Sequence, residues 1–391
     1  MFKSILAQCN YIYEGDTMFV ATLECSYCGA HYSCEEVHTV CTTCGETLLV
    51  KYDLDAIRNA LKKENLSTGS NNLWRYLEFL PVEKKDIITL GEGYTPVLPS
   101  KNHENLWIKD ESLNPTGTFK ARGLAVAVSK AKSFGITDVV MPTAGNAGAA
   151  LSFYCARAGI TAHVYMPEDS PEVTKRECAA AGADIHFVEG TIKDAGARAR
   201  AEGKSWFDMS TLKEPYRLEG KKTMGLEIAE YFAWGAPDAV IYPTGGGTGL
   251  IGIWKAFQEL EEMGWVEKKP KMISVQSSGC APVVKAFTED RKTTEEWKPP
   301  ETVAAGLKVP NPFADKLILK SIRESSGLAV TVTDGEIVQS VADLARTEGV
   351  YACPEGAATY AAYETLIKSG KLSKDERVLL INTGSGLIYP F

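Results

Sequence analysis

Twice in this chain an apolar run ends in a loop of small residues and restarts at once as a helix, and that grammar restricts the fold to alternating strand and helix. Val139-Val140-Met141 leads through Pro142-Thr143-Ala144-Gly145-Asn146-Ala147-Gly148-Ala149 into a helical stretch from Ala150 to Ala158. Ala239-Val240-Ile241-Tyr242 leads through Thr244-Gly245-Gly246-Gly247-Thr248-Gly249 into a helix from Leu250 to Glu262. Small residues let a ligand approach the backbone, and the N–H groups at a helix start point at anions. The first loop suits a carboxylate, with Asn146 adding a side-chain donor and acceptor. The second suits a phosphate, because four glycines in five residues expose several N–H groups to one anion and the hydroxyls of Thr244 and Thr248 are further donors. Neither loop has the GxGxxG spacing of a dinucleotide site, and neither ends in the Gly-Lys-Ser/Thr of a nucleotide loop.

A third segment, Asn114-Pro115-Thr116-Gly117-Thr118-Phe119-Lys120-Ala121-Arg122-Gly123, sets one lysine between a turn and a buried helix. The run from Leu124 to Lys132 is apolar at 124, 125, 126, 127, 128 and 131. Lys120 is thus expected at a helix N-terminus, where the positive end of the macrodipole favours the neutral amine that a Schiff base needs. A lone lysine is most simply a solvated surface group; the two loops are what give this one a chemical role. A lysine, an Asn-bearing anion loop and a phosphate cradle are the parts needed to hold pyridoxal 5′-phosphate, an aldehyde with a phosphate handle and a ring hydroxyl.

With these residues in this order the chain resembles the threonine synthase branch of the fold type II pyridoxal phosphate enzymes. Six motifs stand in that family's order from about Leu90 onward: Gly91-Glu92-Gly93-Tyr94-Thr95-Pro96, the Asn114 to Gly123 segment, the Thr143 to Gly148 loop, Tyr216-Arg217-Leu218-Glu219-Gly220-Lys221-Lys222-Thr223, the Gly245 to Gly249 loop and Thr383-Gly384-Ser385-Gly386-Leu387. The resemblance implies Lys120 as the Schiff-base and catalytic lysine and Asn146 beside the cofactor's ring hydroxyl. It implies Gly245, Gly246, Gly247, Thr248 and Gly249 around the cofactor phosphate, and Thr383 at the pyridine nitrogen. Thr143, Ala144, Gly145, Asn146 and Ala147 would receive the substrate carboxylate, and Arg217 a distal anion. The implied reaction is γ-elimination of phosphate from O-phospho-L-homoserine and addition of water at Cβ, giving L-threonine. The implied fold is α/β, with two α/β domains and the cofactor in the cleft, and the implied assembly is a homodimer.

Departures from the branch leave an alternative open. Ala121 and Ala147 stand where it carries Asp and Thr, and Thr211-Leu212-Lys213-Glu214-Pro215 replaces a segment bearing Asn and Ser. The Gly-Gly-Gly-Thr-Gly loop resembles that of dehydratases, and Ser385 and Ile388 stand where His and Lys are common. The alternative expectation is a serine/threonine dehydratase-like enzyme, or another pyridoxal phosphate-dependent β-elimination or β-replacement. Two other classes are a cofactor-bearing regulator without turnover and an interaction module on a degenerate catalytic body.

A separate signal precedes these motifs. Cys25-Ser26-Tyr27-Cys28 and Cys41-Thr42-Thr43-Cys44 each run into glycine, as a tight knuckle requires, and four thiolates satisfy tetrahedral Zn²⁺. Disulfides are disfavoured because the other six cysteines are scattered and no basic region followed by an apolar one opens the chain. Zinc on Cys25, Cys28, Cys41 and Cys44 is therefore expected. No Lys or Arg lies between Cys25 and Cys44, and the net charge of the chain is −8, so nucleic acid is not an expected partner.

At 391 residues and 45% hydrophobic content the chain can bury a large core. No apolar run approaches the roughly 18 residues of a membrane span, so no membrane is expected and, with reduced cysteines, a cytoplasmic location; the resemblance implies a small-molecule amino-acid substrate. Strands are predicted near 106–109, 138–141, 162–166, 184–188, 239–242, 272–276 and 378–382. The expected division is a ribbon over 1–50, connecting helices within 51–85 at 54–63 and 74–80, a large domain of 86–126 with 211–391, and a small α/β domain of 127–210.

Overall fold

The computed structural model describes residues 18–66 and 69–389. The chain forms two compact units, one drawn from Lys120–Gly220 with the described residues up to Glu92, the other from Gly93–Phe119 with those from Lys221 on. The chain thus changes unit after 92, 119 and 220, where the sequence placed boundaries at 86, 126 and 210. The shift has a packing cause: the helix Lys120–Ser133 lies against the helix Asn146–Ala158 and belongs with it.

The second unit is built on a six-stranded sheet in the order Leu328–Val332, Lys271–Ser277, Ala239–Pro243, Val378–Asn382, Leu106–Asp110, Val97–Pro99. Pairing is parallel except at the last strand, which returns antiparallel and puts Pro99 on an edge, where its missing N–H is tolerated. Every residue of Ala239–Pro243 and of Val378–Asn382 is buried, which is why these strands read as unbroken apolar runs. Ile241 pairs with Ile273 and Leu380 with Ile108, and these four join one core with Ala358 and Leu366 of the helix Pro354–Lys368.

The first unit holds a four-stranded parallel sheet, ordered Asp184–Val188, Thr161–Pro167, Asp138–Pro142, Phe207–Asp208. Its helix Ile192–Glu202 begins in a capping box, Thr191 bonding the first turn while Asp194 reaches back to the Thr191 N–H. A three-stranded antiparallel sheet of His31–Tyr32, Val20–Cys25 and Leu48–Tyr52 carries the cysteine pairs. This ribbon is fastened within its unit: Thr47 Oγ1 donates to the Leu212 carbonyl at 2.9 Å, and the Tyr52 hydroxyl to Glu219 Oε2 at 2.8 Å.

All seven strands expected from sequence are present. The helix expected over 54–63 stops at Ala60, where Leu61 turns extended. The segment expected over 74–80 is a 3₁₀ helix, Leu73–Phe79, kinked at Tyr76 and capped by the Asn72 side chain.

Candidate active site

Lys120 is the first residue of its helix, whose Leu124, Ala125, Val126, Ala127, Val128 and Ala131 are all fully buried. The chain reaches it through Thr116 and Gly117, with φ of 62° and 66°. That left-handed geometry strains a β-branched threonine. Thr116 Oγ1 is also buried without a hydrogen-bond partner among the described residues. The turn is held by Asn114, whose Nδ2 donates to Glu111 Oε2 at 2.8 Å and whose Oδ1 accepts the Gly93 N–H at 2.9 Å. It is also stitched to the C-terminal motif, with Phe119 N–H donating to the Thr383 carbonyl at 3.0 Å and Ser385 N–H to the Gly117 carbonyl at 2.9 Å. Lys221 completes the clamp by donating to the Phe119 carbonyl, its Nζ 4.0 Å from the Phe119 ring centroid.

The glycine loop lies between Ala239–Pro243 and the helix Thr248–Glu262. Among the described residues the N–H groups of Gly245, Gly246 and Gly247 have no protein acceptor, and Gly245 and Gly247 are buried. Buried orphan donors are costly, so a run of unbonded N–H groups at a helix N-terminus marks a place for an anion. Gly247 takes φ 77°, and a Cβ on Gly245 would stand 2.1 Å from the Gly306 carbonyl oxygen. Gly306 is itself held by Glu355, whose Oε1 accepts its N–H at 2.6 Å. Thr244 departs from expectation: its hydroxyl donates back to the Tyr242 carbonyl at 3.1 Å and is no free anion donor. The Gly249 N–H is directed at the Tyr242 hydroxyl.

Thr383 is buried, with Oγ1 3.5 Å from Cys353 Sγ. Burial pushes the Cys353 thiol well up, so it stands beside Thr383 as a neutral S–H. The preceding Asn382 donates to Asp110 Oδ1 at 2.8 Å, fixing the strand end.

In the first unit, Gly145 caps the helix Asn146–Ala158 and Asn146 is its first residue. Thr143 Oγ1 accepts the Gly145 N–H at 3.3 Å, while the N–H groups of Ala144 and Ala147 have no protein acceptor among the described residues. Arg217 is 2% exposed. Its Nη1 donates to the Met209 carbonyl at 2.6 Å, and its Nε is buried with no partner among the described residues. Glu214 takes the backbone N–H groups of Tyr216 and Arg217, and burial raises its carboxyl to about 7. Ser210, next to Met209, also buries a hydroxyl without a partner there. The first unit therefore carries Lys120, the Thr143–Ala147 loop and Arg217; the second carries the glycine loop and Thr383.

Glu355, Lys221 and Ser210 went unnoticed in the sequence. Lys221 lies inside a quoted motif but next to other charges that hid it. A serine or a glutamate among many gives no signal of its own.

In the ribbon, Cys25 Sγ is 3.4 Å from Cys44 Sγ, and Cys28 Sγ is 3.6 Å from Cys41 Sγ and from Cys44 Sγ. Sulfurs on one tetrahedral zinc stand about 3.8 Å apart at a bond length of about 2.3 Å, so the quartet fits that ion closely. Gly29 and Gly45 turn the knuckles at φ 71° and 78°, each returning its N–H to the first cysteine carbonyl of its pair. Desolvation raises the Cys41 thiol, but the Tyr32 hydroxyl at 3.1 Å and neighbouring N–H groups outweigh it and bring the pKa to about 5. Cys41 thus holds the thiolate of the quartet, the form that binds metal, while the thiols of Cys28 and Cys44 are pushed up, that of Cys44 to about 12.

A model of the pyridoxal-phosphate dependent enzyme family matches residues 88–384. The chain is 36% identical over 376 residues to a threonine synthase of Methanocaldococcus jannaschii, covering 94% of this chain and 92% of that one. It is 37% identical over 371 residues to a threonine synthase of Methanosarcina acetivorans, covering 93% and 91%. Among solved structures, the processed form of threonine deaminase isoform 2 from Solanum lycopersicum superposes with a TM-score of 0.65 at 21% identity, covering 81% of this chain and 91% of that one, a likeness of fold.

Proposed function

We propose that this chain, which belongs to the pyridoxal-phosphate-dependent enzymes and within them to the threonine synthases, is a lyase that converts O-phospho-L-homoserine and water to L-threonine and phosphate. The observation that carries this reading is the match at 36–37% identity to threonine synthases over more than nine-tenths of the chain. Pyridoxal phosphate, when bound, supplies an aldehyde that captures amines and a conjugated ring that draws electrons from Cα of an amino acid.

The chain's own residues have distinct tasks in this reading. Lys120 holds the cofactor through its amine and moves the proton at the substrate Cα. The orphan N–H groups of Gly245, Gly246 and Gly247, with the loop residues Thr248 and Gly249, hold the cofactor phosphate, which the absence of a protein acceptor for those three among the described residues supports. Asn146 offers its amide to the ring hydroxyl. Thr383 presents a neutral hydroxyl to the pyridine nitrogen, which leaves that nitrogen unprotonated and the electron sink moderate. Thr143, Ala144, Gly145, Asn146 and Ala147 orient the substrate carboxylate, a role suited to the unbonded N–H groups of Ala144 and Ala147. Arg217 binds the substrate phosphate, and its buried, unsatisfied Nε supports that assignment.

The ribbon's Cys25, Cys28, Cys41 and Cys44 bind one structural zinc in this reading, supported by sulfur spacings near those of a tetrahedral site. Their free thiols also favour a reducing, cytoplasmic compartment. Among the described residues no helix is long and apolar enough to cross a membrane. A homodimer belongs to the reading on the family resemblance alone.

A substrate panel tests it. Incubated separately with O-phospho-L-homoserine, O-phospho-L-serine, L-serine and L-threonine, the enzyme is expected to release phosphate and threonine from the first alone. Ammonia from serine or threonine, with no threonine formed from O-phospho-L-homoserine, would replace the synthase by a dehydratase.

A further inference from the structure

We propose that His163, Asp184 and His186 bind one divalent cation of the zinc class at the edge of the four-stranded sheet. The three residues come from adjacent parallel strands, Thr161–Pro167 and the edge strand Asp184–Val188. His163 is the register partner of Asp184, and His186 follows Asp184 by two, so both face the same side. Asp184 Oδ2 lies 2.9 Å from His163 Nδ1 and 3.1 Å from His186 Nε2, and the three donor atoms all fall within 4.8 Å of one another. One carboxylate oxygen and two imidazole nitrogens converge in this way around either ring N–H protons or a metal ion.

Three features favour the metal. The far nitrogen of His163, Nε2, is 3.0 Å from Asp138 Oδ1. A histidine that donates one ring N–H to a carboxylate turns its other nitrogen outward as a lone pair, which is the usual carboxylate–histidine–metal arrangement. Both rings are already held: Trp206 stacks on His163 at 3.5 Å and 3°, and Tyr165 on His186 at 4.2 Å and 7°. Tyr165 is in turn anchored by its hydroxyl, which donates to Glu202 at 2.7 Å. Access is open, since the Asp184 side chain is 51% exposed while that of His163 is only 9% exposed. Around zinc, nitrogen and oxygen ligands at about 2.0–2.1 Å stand about 3.3 Å apart, so the two carboxylate–imidazole spacings of 2.9 and 3.1 Å need open by only a few tenths of an ångström to seat the ion, with water in a fourth position. A cation there ties the edge strand to its neighbour and stabilises the folded state by binding it alone.

The test compares holoenzyme with Asp184→Asn and His186→Ala, both at the sheet edge and outside the proposed catalytic and zinc-ribbon residues. Titrated with Zn²⁺ and with Co²⁺, wild type is expected to take up one equivalent more than either variant, or to bind that equivalent at least tenfold more tightly. The Co²⁺ spectrum of the difference is expected to show d–d absorption without the thiolate charge-transfer band that cysteine ligation gives. Zn²⁺ is also expected to raise the melting temperature of wild type by more than that of either variant. Equal uptake and equal affinity in all three proteins, or a difference spectrum carrying the thiolate band, would overturn the site and leave the triad a hydrogen-bonded cluster.

Discussion

The Phe119 N–H donates to the Thr383 carbonyl across 3.0 Å, so the residue before Lys120 is tied by its backbone to the residue assigned to the pyridine nitrogen. The lysine turn and the C-terminal loop are therefore one structural piece, further locked by Ser385 N–H on the Gly117 carbonyl. Lys120→Ala is expected to leave this scaffold folded while abolishing the visible absorbance of the bound cofactor and all turnover. Borohydride reduction of wild type followed by peptide mapping should find the pyridoxyl group on Lys120. Label on a different lysine would remove Lys120 from the chemistry.

Gly245→Ala tests the phosphate cradle. The new methyl would stand 2.1 Å from a backbone oxygen, that of Gly306, which cannot swing aside as a side chain can. Pyridoxal phosphate affinity, measured by equilibrium dialysis, should fall at least tenfold, about 1.4 kcal/mol or more. Unchanged affinity would mean that the loop is tight packing only.

Much of this was legible in the sequence for a physical reason. Strands buried on both faces, such as Val378–Asn382, are unbroken apolar runs, and glycine loops leading into helices announce their own backbone needs. Leu328–Val332 was missed because it is only partly buried and shows no clear alternation, and Val97–Pro99 because three residues ending in proline carry almost no pattern. The supports of the site were illegible because they join distant positions: Glu355 meets Gly306 across 49 residues, and Lys221 meets Phe119 across 102. The Arg217 assignment rested on its motif; the unsatisfied Nε appears only once burial is known.

Arg217→Lys keeps the charge and loses the planar fork that grips a phosphate. kcat/KM for O-phospho-L-homoserine should drop roughly 10- to 1000-fold, about 1.4 to 4 kcal/mol, with the cofactor spectrum unchanged. A melting curve controls for the buried position of the side chain. Kinetics like those of wild type would shift the distal anion to other residues.

Glu214 gives stability a pH slope. Burial raises its folded pKa to about 7 from an ordinary 4.5, so the folded chain holds that proton more tightly than the unfolded one. The associated stability is complete below about pH 4.5 and is lost as pH rises through about 7. In calorimetry from about pH 5 to about pH 8, wild type should lose melting temperature relative to Glu214→Gln. Parallel profiles would show that the neighbouring Arg217 cancels the effect of burial.

The ribbon should contain about one zinc per chain, and Cys41→Ser should lower that content. Tyr32→Phe, which removes the donor 3.1 Å from Cys41 Sγ, is expected to weaken zinc binding while retaining all four ligands. Metal-free protein that stays fully folded under reducing conditions would exclude a structural zinc.

The most direct test of the activity is the reaction of O-phospho-L-homoserine in H₂¹⁸O, with both products analysed by mass spectrometry. Elimination breaks the carbon–oxygen bond, and water then adds at Cβ. The expected result is one ¹⁸O in the hydroxyl of L-threonine, none incorporated into the phosphate, and the two products in equal amounts. Phosphate that carries ¹⁸O, released alongside homoserine with no threonine, would mark phosphoester hydrolysis and contradict the account.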